Sequence, residues 1–359
     1  MIRKSGPIVA ATLLFACAAP SVARETKAQA SGPQRLAAAS GVGVAITTCP
    51  QGAVFLALED QIRGYPSAAN GPTPPCQVLA GPHTGLSTAR SLAISIHGYL
   101  HVVQFLTNGT YEVFRSTASG DQAPTRTIST ETNDLTAIAV DSDLHDYILG
   151  VRGQPSVFIY PDGVSGQQPN PALITDPNIV APAAIAVDAD ENLLIGGYDA
   201  NGQPRIDTFD TGRALGSGAR LIRSLAGPHT GLLPGSSNVF NSSTMSFAVD
   251  QATGELFVFN AAGLGANVLD QVSVFPARVS GDAPPTRVLN GSSTGIAGTG
   301  ILGTNKIAVA NDGRLFVSEP NETILVFAAG AAGNVPPAQR IVDSTLGTGS
   351  RDEGGIAAR

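Results

Sequence analysis

One phrase is written six times along this chain, diverged each time: an apolar strand, a spacer rich in Gly, Asn and Pro, then another strand. It reads "RGYPSAANGPTPPCQVLAG" at 63–81, "VFRSTASGDQAPTRTIST" at 113–130 and "FIYPDGVSGQQPNPALITD" at 158–176. It returns as "TFDTGRALGSGARLIRSLAG" at 208–227, "VFPARVSGDAPPTRVLNG" at 274–291 and "VFAAGAAGNVPPAQRIVD" at 326–343. The interval is roughly 45–50 residues, with one longer gap between the fourth and fifth copies, and such a period marks a repeat architecture. A second phrase precedes most copies: a short apolar strand, an Asp/Asn/Gly turn and a second apolar strand. It is clearest in "LTAIAVDSDLHDYILGV" (135–151), "AAIAVDADENLLIGGY" (183–198), "SFAVDQATGELFVFN" (246–260) and "KIAVANDGRLFVSE" (306–319). Weaker versions are "VGVAITTCPQGAVFLALE" (42–59) and "SLAISIHGYLHVVQF" (91–105).

Together the phrases write strand a, turn, strand b, loop, strand c, long loop, strand d. A single four-stranded sheet that is apolar on both faces cannot bury them alone. Six packed radially can, and they leave only short, protected edges. The expected fold is therefore all-β, a six-bladed β-propeller of four-stranded antiparallel blades spanning 41–343. Composition agrees: 41 Gly and 25 Pro punctuate the chain, 43% of residues are hydrophobic and only 14% charged. Such a chain can build a sizeable core rather than remain disordered.

The "IAVD…G-x-L-[FY]-V" and "[IV]-x-V-F" rhythm resembles the NHL and SMP-30/gluconolactonase-like superfamily of six-bladed propellers, in an exported bacterial form. The resemblance covers nearly all of the chain after the leader. It implies a fold more than an activity, because that superfamily holds lactonases, lyases and binding scaffolds. It also implies a divalent cation, calcium or another, near the channel mouth of its lactonase members. The absence of Trp argues against repeat families whose blades are marked by that residue.

The N-terminus reads as an export signal. Arg3 and Lys4 precede the apolar run "IVAATLLFACAA" (8–19), and "SVA" (21–23) is a small-x-small cleavage site. Residues 1–23 are then a signal peptide. A lipoprotein signal ending before Cys17 is the rival, since "LFAC" (14–17) resembles a lipobox. Either route leads to the periplasm or the cell exterior, the second by way of an outer-membrane lipid anchor. Residues 24–40 read as a polar linker, and 344–359 as a C-terminal tail in which "GGIAAR" echoes a strand a. Removing 1–23 deletes two cations, so the formal charge of −7 becomes −9. No basic stripe offers nucleic acid a footprint. Expected partners are a protein, a glycan or a small molecule, with membrane contact only through the lipid anchor, and the chain is expected to be monomeric.

Export also makes a disulfide between Cys49 and Cys76 plausible. The layout above opposes it: Cys49 would end strand a and Cys76 begin strand d, ~14 Å apart at three strand spacings.

"AGPHTGL" occurs at 80–86 and again at 226–232, with the degenerate "NGSSTGI" at 290–296. Three repeat units separate the first two copies, which places His83 and His229 on opposite sides of a six-bladed ring. Shared zinc ligation needs nitrogens about 2.0–2.1 Å from the metal. The recurring part is therefore turn chemistry, with glycine for unusual φ and threonine for a backbone-capping bond. Asp141, Asp188 and Asp250 of the "AVD" phrases are expected to close Asx-turns.

Residues just after strand b should rim the channel mouth. Glu59, Asp60, Asp199, Asn260, Glu319 and Asn321 are the candidate ligand or metal residues there, beside Gln104 and Arg152. Their hard oxygens suit a divalent cation, whereas Arg152 would oppose one. The connections 227–243 and 260–271 exceed the repeat length on the same face. Insertions confined to one face of a repeat protein mark a binding surface; His229, Asn238, Phe240 and Asn241 are its candidate residues. No G-x-S-x-G, H-E-x-x-H or P-loop is present, and no catalytic residue or cofactor is assigned from motifs. The expected function is a binding or scaffold module acting through the loop-rich face. The alternative is a metal-assisted lactonase-like hydrolase or a lyase at the channel mouth.

Overall fold

The computed structural model describes residues 49, 52–105, 109–130, 134–151, 155–168, 171–212, 218–235, 244–262, 269–297, 306–319, 323–345 and 353–359. All belong to one compact unit, Ala45–Arg359. Its strands form six blades, each a four-stranded antiparallel sheet written here from the axis outward as a, b, c and d. Blade 2 is Ala89–Ile94, Tyr99–Gln104, Thr110–Arg115 and Arg126–Ser129. Blade 3 is Leu135–Val140, Asp146–Gly150, Ser156–Tyr160 and Ala172–Ile174. Blade 4 is Ala181–Val187, Leu193–Tyr198, Pro204–Asp210 and Arg220–Ala226. Blade 5 is Thr244–Val249, Leu256–Ala262, Leu269–Phe275 and Arg287–Asn290, and blade 6 is Ile307–Val309, Leu315–Glu319, Thr323–Phe327 and Gln339–Asp343.

Blade 1 departs from chain order. Its b, c and d strands are Ala53–Leu58, Gln61–Pro66 and Gln77–Ala80, while its strand a is Glu353–Ala358. That last strand pairs antiparallel with Ala53–Leu58, Leu56 opposite Ile356. The segment read from sequence as a tail thus completes the first sheet. It occupies the place that the 42–49 stretch was expected to take. The a strands follow one another around the axis, 89–94, 135–140, 181–187, 244–249 and 307–309, and 353–358 lies between the last and the first. The fit is close. A Cβ on Gly354 would sit 2.7 Å from the Ala89 carbonyl oxygen, and one on Gly355 would sit 2.9 Å from the Leu92 amide.

Packing explains why the strands are apolar on both faces. Each blade junction holds one hydrophobic cluster, and alternate residues of one strand serve two junctions. Phe55 and Ala57 pack toward blade 2 with Leu92, Leu100 and Phe114. Val54, Leu56 and Leu58 pack toward blade 6 with Phe316, Ile324 and Val326. Each of these Val, Leu, Ile and Phe side chains contributes about 1.5–3 kcal/mol when fully buried. The long c–d loops add a second link. Gly71–Thr73 pairs parallel with Gln339–Asp343 of blade 6, and Gly166–Gln167 with Arg126–Ser129 of blade 2. Single bridges join Gly120 to Leu79, Gly281 to Leu225 and Gly333 to Leu289. Each loop reaches back to strand d of the preceding blade and covers its exposed edge.

Cys49 and Cys76 are disulfide-bonded, with Cα atoms 5.0 Å apart. The expected 14 Å separation fails because Cys49 ends no strand a. It lies over strand c, where a Cβ on Gly64 would meet the Cys49 sulfur at 2.9 Å. The Cys76 amide donates to the Gly64 carbonyl on the same strand at 2.9 Å. The bond closes a 27-residue separation, worth about 3 kcal/mol if its main effect is to restrict the unfolded chain. The Cys49→Ser/Cys76→Ser protein is expected to lose about that much stability in urea unfolding, and the wild type to lose the same amount when dithiothreitol is present.

Candidate functional site

The b–c and d–a loops share one face, called upper here, and the a–b and c–d loops the other. Of the residues expected at the upper channel mouth, Gln104, Asn260, Glu319 and Asp199 hold backbone amides. Gln104 ends strand b of blade 2. Its Oε1 accepts the amides of Ser87 at 2.7 Å and Thr88 at 3.2 Å, and its Nε2 donates to the Gly85 carbonyl at 2.9 Å. Asn260 occupies the same place in blade 5, where its Oδ1 accepts the Leu233 amide and its Nδ2 donates to the Tyr198 hydroxyl at 3.0 Å. Glu319 does likewise in blade 6, its Oε2 accepting the Ala297 amide at 2.9 Å. All three side chains are buried. Each fastens the d–a loop that enters its own blade.

Asp199 closes a turn, accepting the amides of Asn201 at 2.8 Å and Gln203 at 2.9 Å. Glu59 and Asp60 form the exposed b–c turn of blade 1, and the Glu59 carbonyl accepts the Ala89 amide at 2.7 Å. Asn321, Arg152, Asn238, Phe240, Asn241 and Cys17 lie outside the described residues. Among the described residues, no three His, Cys, Asp or Glu side chains come together as a metal cluster. The "AVD" aspartates accept amides within their own turns: Asp141 from His145, Asp188 from Asp190 and Asn192, and Asp250 from Ala252.

The "AGPHTGL" copies form identical clasps. Thr84 and Thr230 are buried in single turns of 3-10 helix, and Gly85 and Gly231 follow at φ 72° and 64°. The Thr84 hydroxyl donates to the Gly81 carbonyl at 2.7 Å and accepts the Leu86 amide at 3.2 Å. Thr230 and Thr294 repeat both bonds. The partner that sequence reasoning missed comes from the next blade. Asp121 in the c–d loop of blade 2 accepts the His83 amide at 2.7 Å, and its second oxygen lies 2.6 Å from His83 Nδ1. Asp282 grips His229 in the same way, at 2.7 and 2.5 Å, and Asn334 accepts the Ser293 amide at 2.7 Å. A visible signal was available: Asp121, Asp282 and Asn334 each follow the glycine of an S-G-D or A-G-N triplet in the quoted repeats. The hydrogen bond from His83 holds the Asp121 carboxyl below its ordinary range. His83 and His229 sit at the junctions of blades 1/2 and 4/5, half a turn apart in the ring order, and both side chains are 76% exposed.

The junction of blades 3 and 4 carries a different device. Asp176-Pro177 stands where Gly81-Pro82 stands in the first copy. Asp176 accepts the Asn178 amide at 2.8 Å and faces Asp207 of strand c in blade 4. Asp207 is fully buried, held by Arg205 Nε at 2.8 and 2.9 Å, by the Ser224 hydroxyl and by Asn178 Nδ2 at 3.2 Å. Burial first, and the facing Asp207 carboxylate second, push the Asp176 carboxyl up to about 6. Glu112, buried beside Gln104, is pushed by burial up to about 7.

Among solved structures, the chain is similar to a Bacteroides caccae protein of unknown function, at 11% identity and a TM-score of 0.52. That match covers 86% of this chain and 99% of the other. It is also similar to the β-propeller domain of Myceliophteria thermophila Cps50 (Swd1), at 12% identity and a TM-score of 0.48, covering 86% and 90%. At these identities the first likeness speaks to the propeller fold alone. No family model and no curated protein matches the chain.

The Asp176 carboxyl yields a pH prediction. Its folded value lies above the ordinary 3.8. Its neutral form therefore favours the native state at acid pH, and that advantage fades as pH rises through about 6. Asp176→Asn keeps the acceptor for the Asn178 amide and removes the charge. The variant should be more stable than wild type by roughly 1–2 kcal/mol at pH 7.5 and nearly equal at pH 4. Thermal unfolding of both proteins across that range checks it.

Proposed function

We propose that this protein is an exported binding module, a member of the NHL and SMP-30/gluconolactonase-like propellers that engages a protein, glycan or small molecule through its upper loops. The observation that carries this reading is how the d–a loops are fixed. Three of them are pinned at their start twice over, by the threonine clasp and, three residues past that threonine, by Gln104, Asn260 or Glu319. The side chains of Asp199, Asn260 and Glu319, which could have ligated a cation, accept backbone amides instead. A loop rooted firmly where it leaves a rigid sheet can vary beyond that root without disturbing the blade, which suits recognition. The longest such connection, 227–243, carries His229 in its opening clasp.

Residues 1–23 route the protein out of the cytoplasm in this reading, and no metal is needed for its action. Two measurements separate it from the hydrolase alternative. Calcium and EDTA should leave the melting temperature unchanged, and γ-lactones should hydrolyse at the background rate. An EDTA-reversible rise in melting temperature with calcium, together with lactone turnover, would replace this proposal with the enzyme. Exchange of residues 234–243 for a Gly-Ser segment of equal length should abolish partner crosslinking in the exported fraction while the melting temperature stays within about 2 °C, as expected for a surface change.

A further inference from the structure

The lower face carries a repeated bracket, and one copy is open. Two residues before the buried Leu or Ile of strand d, five of the six blades place a long polar side chain: Gln77, Arg126, Arg223, Arg287 and Gln339. Four of the five are well bonded. Gln77 donates to the Ser116 carbonyl at 3.0 Å and Gln339 to the Ala68 carbonyl at 3.0 Å, both in the c–d loop of the next blade. Arg223 meets Asp188 at 2.5 Å, and Arg287 holds Glu255 with two bonds of 2.8 and 2.9 Å.

Arg126 is the exception. Its nearest acid is Asp162 in the c–d loop of blade 3, at 3.5 Å, beyond the 2.7–2.9 Å of a charge-assisted bond. The same Asp162 oxygen already accepts the Gly163 amide at 2.7 Å. The Nη1 of Arg126 is buried without a hydrogen-bond partner. A buried guanidinium nitrogen left unbonded is costly and calls for an acceptor. Here the site opens into a groove of about 670 Å³ between blades 2 and 3, walled by His97, Tyr99, Thr125 and Leu144 as well. Tyr99 gives the groove an aromatic wall, with the Arg115 guanidinium 5.7 Å from its ring centroid. Ile96, next to His97, is 74% exposed.

We propose that this groove binds a small carboxylate carried on a ring. The carboxylate meets the Arg126 guanidinium from the groove, where Asp162 stands off at 3.5 Å, and the ring lies against Tyr99. The site is on the face opposite the loops assigned above and does not depend on that assignment. The planar, directed donors of a guanidinium favour carboxylate over a spherical anion.

The test uses the full chain after signal removal, at constant ionic strength, with benzoate, galacturonate, acetate and chloride as probes in calorimetric titration. One of the two ring acids should bind in the millimolar range and more tightly than acetate, with chloride silent. Which of the two binds better identifies an aromatic acid or a sugar acid as the source of the carboxylate. Arg126→Gln should weaken binding by about tenfold or more, the loss expected for a charged hydrogen bond. Asp162→Asn should tighten it, because the competing carboxylate is gone, and this variant keeps the test intact should Arg126→Gln fail to fold. Tyr99→Leu should erase the preference for ring acids over acetate. Absence of binding by both ring acids, or equal binding by wild type, Arg126→Gln and Asp162→Asn, would overturn the proposal.

Discussion

Every blade of this protein is apolar on both faces, so none is stable until it has a neighbour on each side. A linear stack would leave two greasy faces exposed, and a circle leaves none. The circle closes only if the a strands approach closely at the seam, and Gly354 and Gly355 make room there against Ala89 and Leu92. Polar bonds around the axis follow the same rule. The Ser91 hydroxyl accepts the Ile138 amide at 3.2 Å and Ser246 accepts the Lys306 amide at 2.9 Å, each from the inner strand of the next blade. These groups satisfy inner-strand amides that the sheet itself leaves unpaired.

The rim is organised by junction rather than by blade. Three junctions use a Gly-Pro-His-Thr-Gly turn, or its Gly-Ser-Ser-Thr-Gly form, gripped by Asp121, Asp282 or Asn334 from the following blade. Two others place an aspartate at the end of strand d and bind it from strand c of the next sheet. Asp343 takes Tyr65 at 2.6 Å and Arg63 at 2.7 Å, and Asp176 faces Asp207. At these five junctions an amide or carboxylate bridges the gap, and only the side that supplies it changes.

Much of the architecture was legible because strand periodicity and turn chemistry are local. The six-fold phrase predicts six sheets, and the Thr-Gly pairs predict turns whose φ only glycine adopts easily. Pairings between distant segments were less legible. Nothing local to 353–358 says that it lies beside 53–58, although "GGIAAR" shares its apolar pattern with the other inner strands. Misplacing that one strand also misplaced Cys49, and with it the geometry that argued against the disulfide. The mouth residues erred in another way. Gln104, Asn260 and Glu319 were located correctly at the ends of b strands, but a side chain's choice between solvent ligand and backbone amide depends on a loop packed over it. That loop comes from the preceding blade, so single-strand reasoning did not see it.

The seam has a consequence for how the molecule comes into being. The first sheet waits, as a three-stranded fragment with a raw inner edge, for a strand made about 300 residues later, Glu353–Ala358. Long-range pairing of this kind is slow to form. The Cys49–Cys76 bond can tie the early fragment together, but the axis stays unlatched until Glu353–Ala358 has paired with Ala53–Leu58. A chain halted anywhere upstream would be an open fan offering a sticky edge, the form that quality-control proteases and aggregation partners recognise.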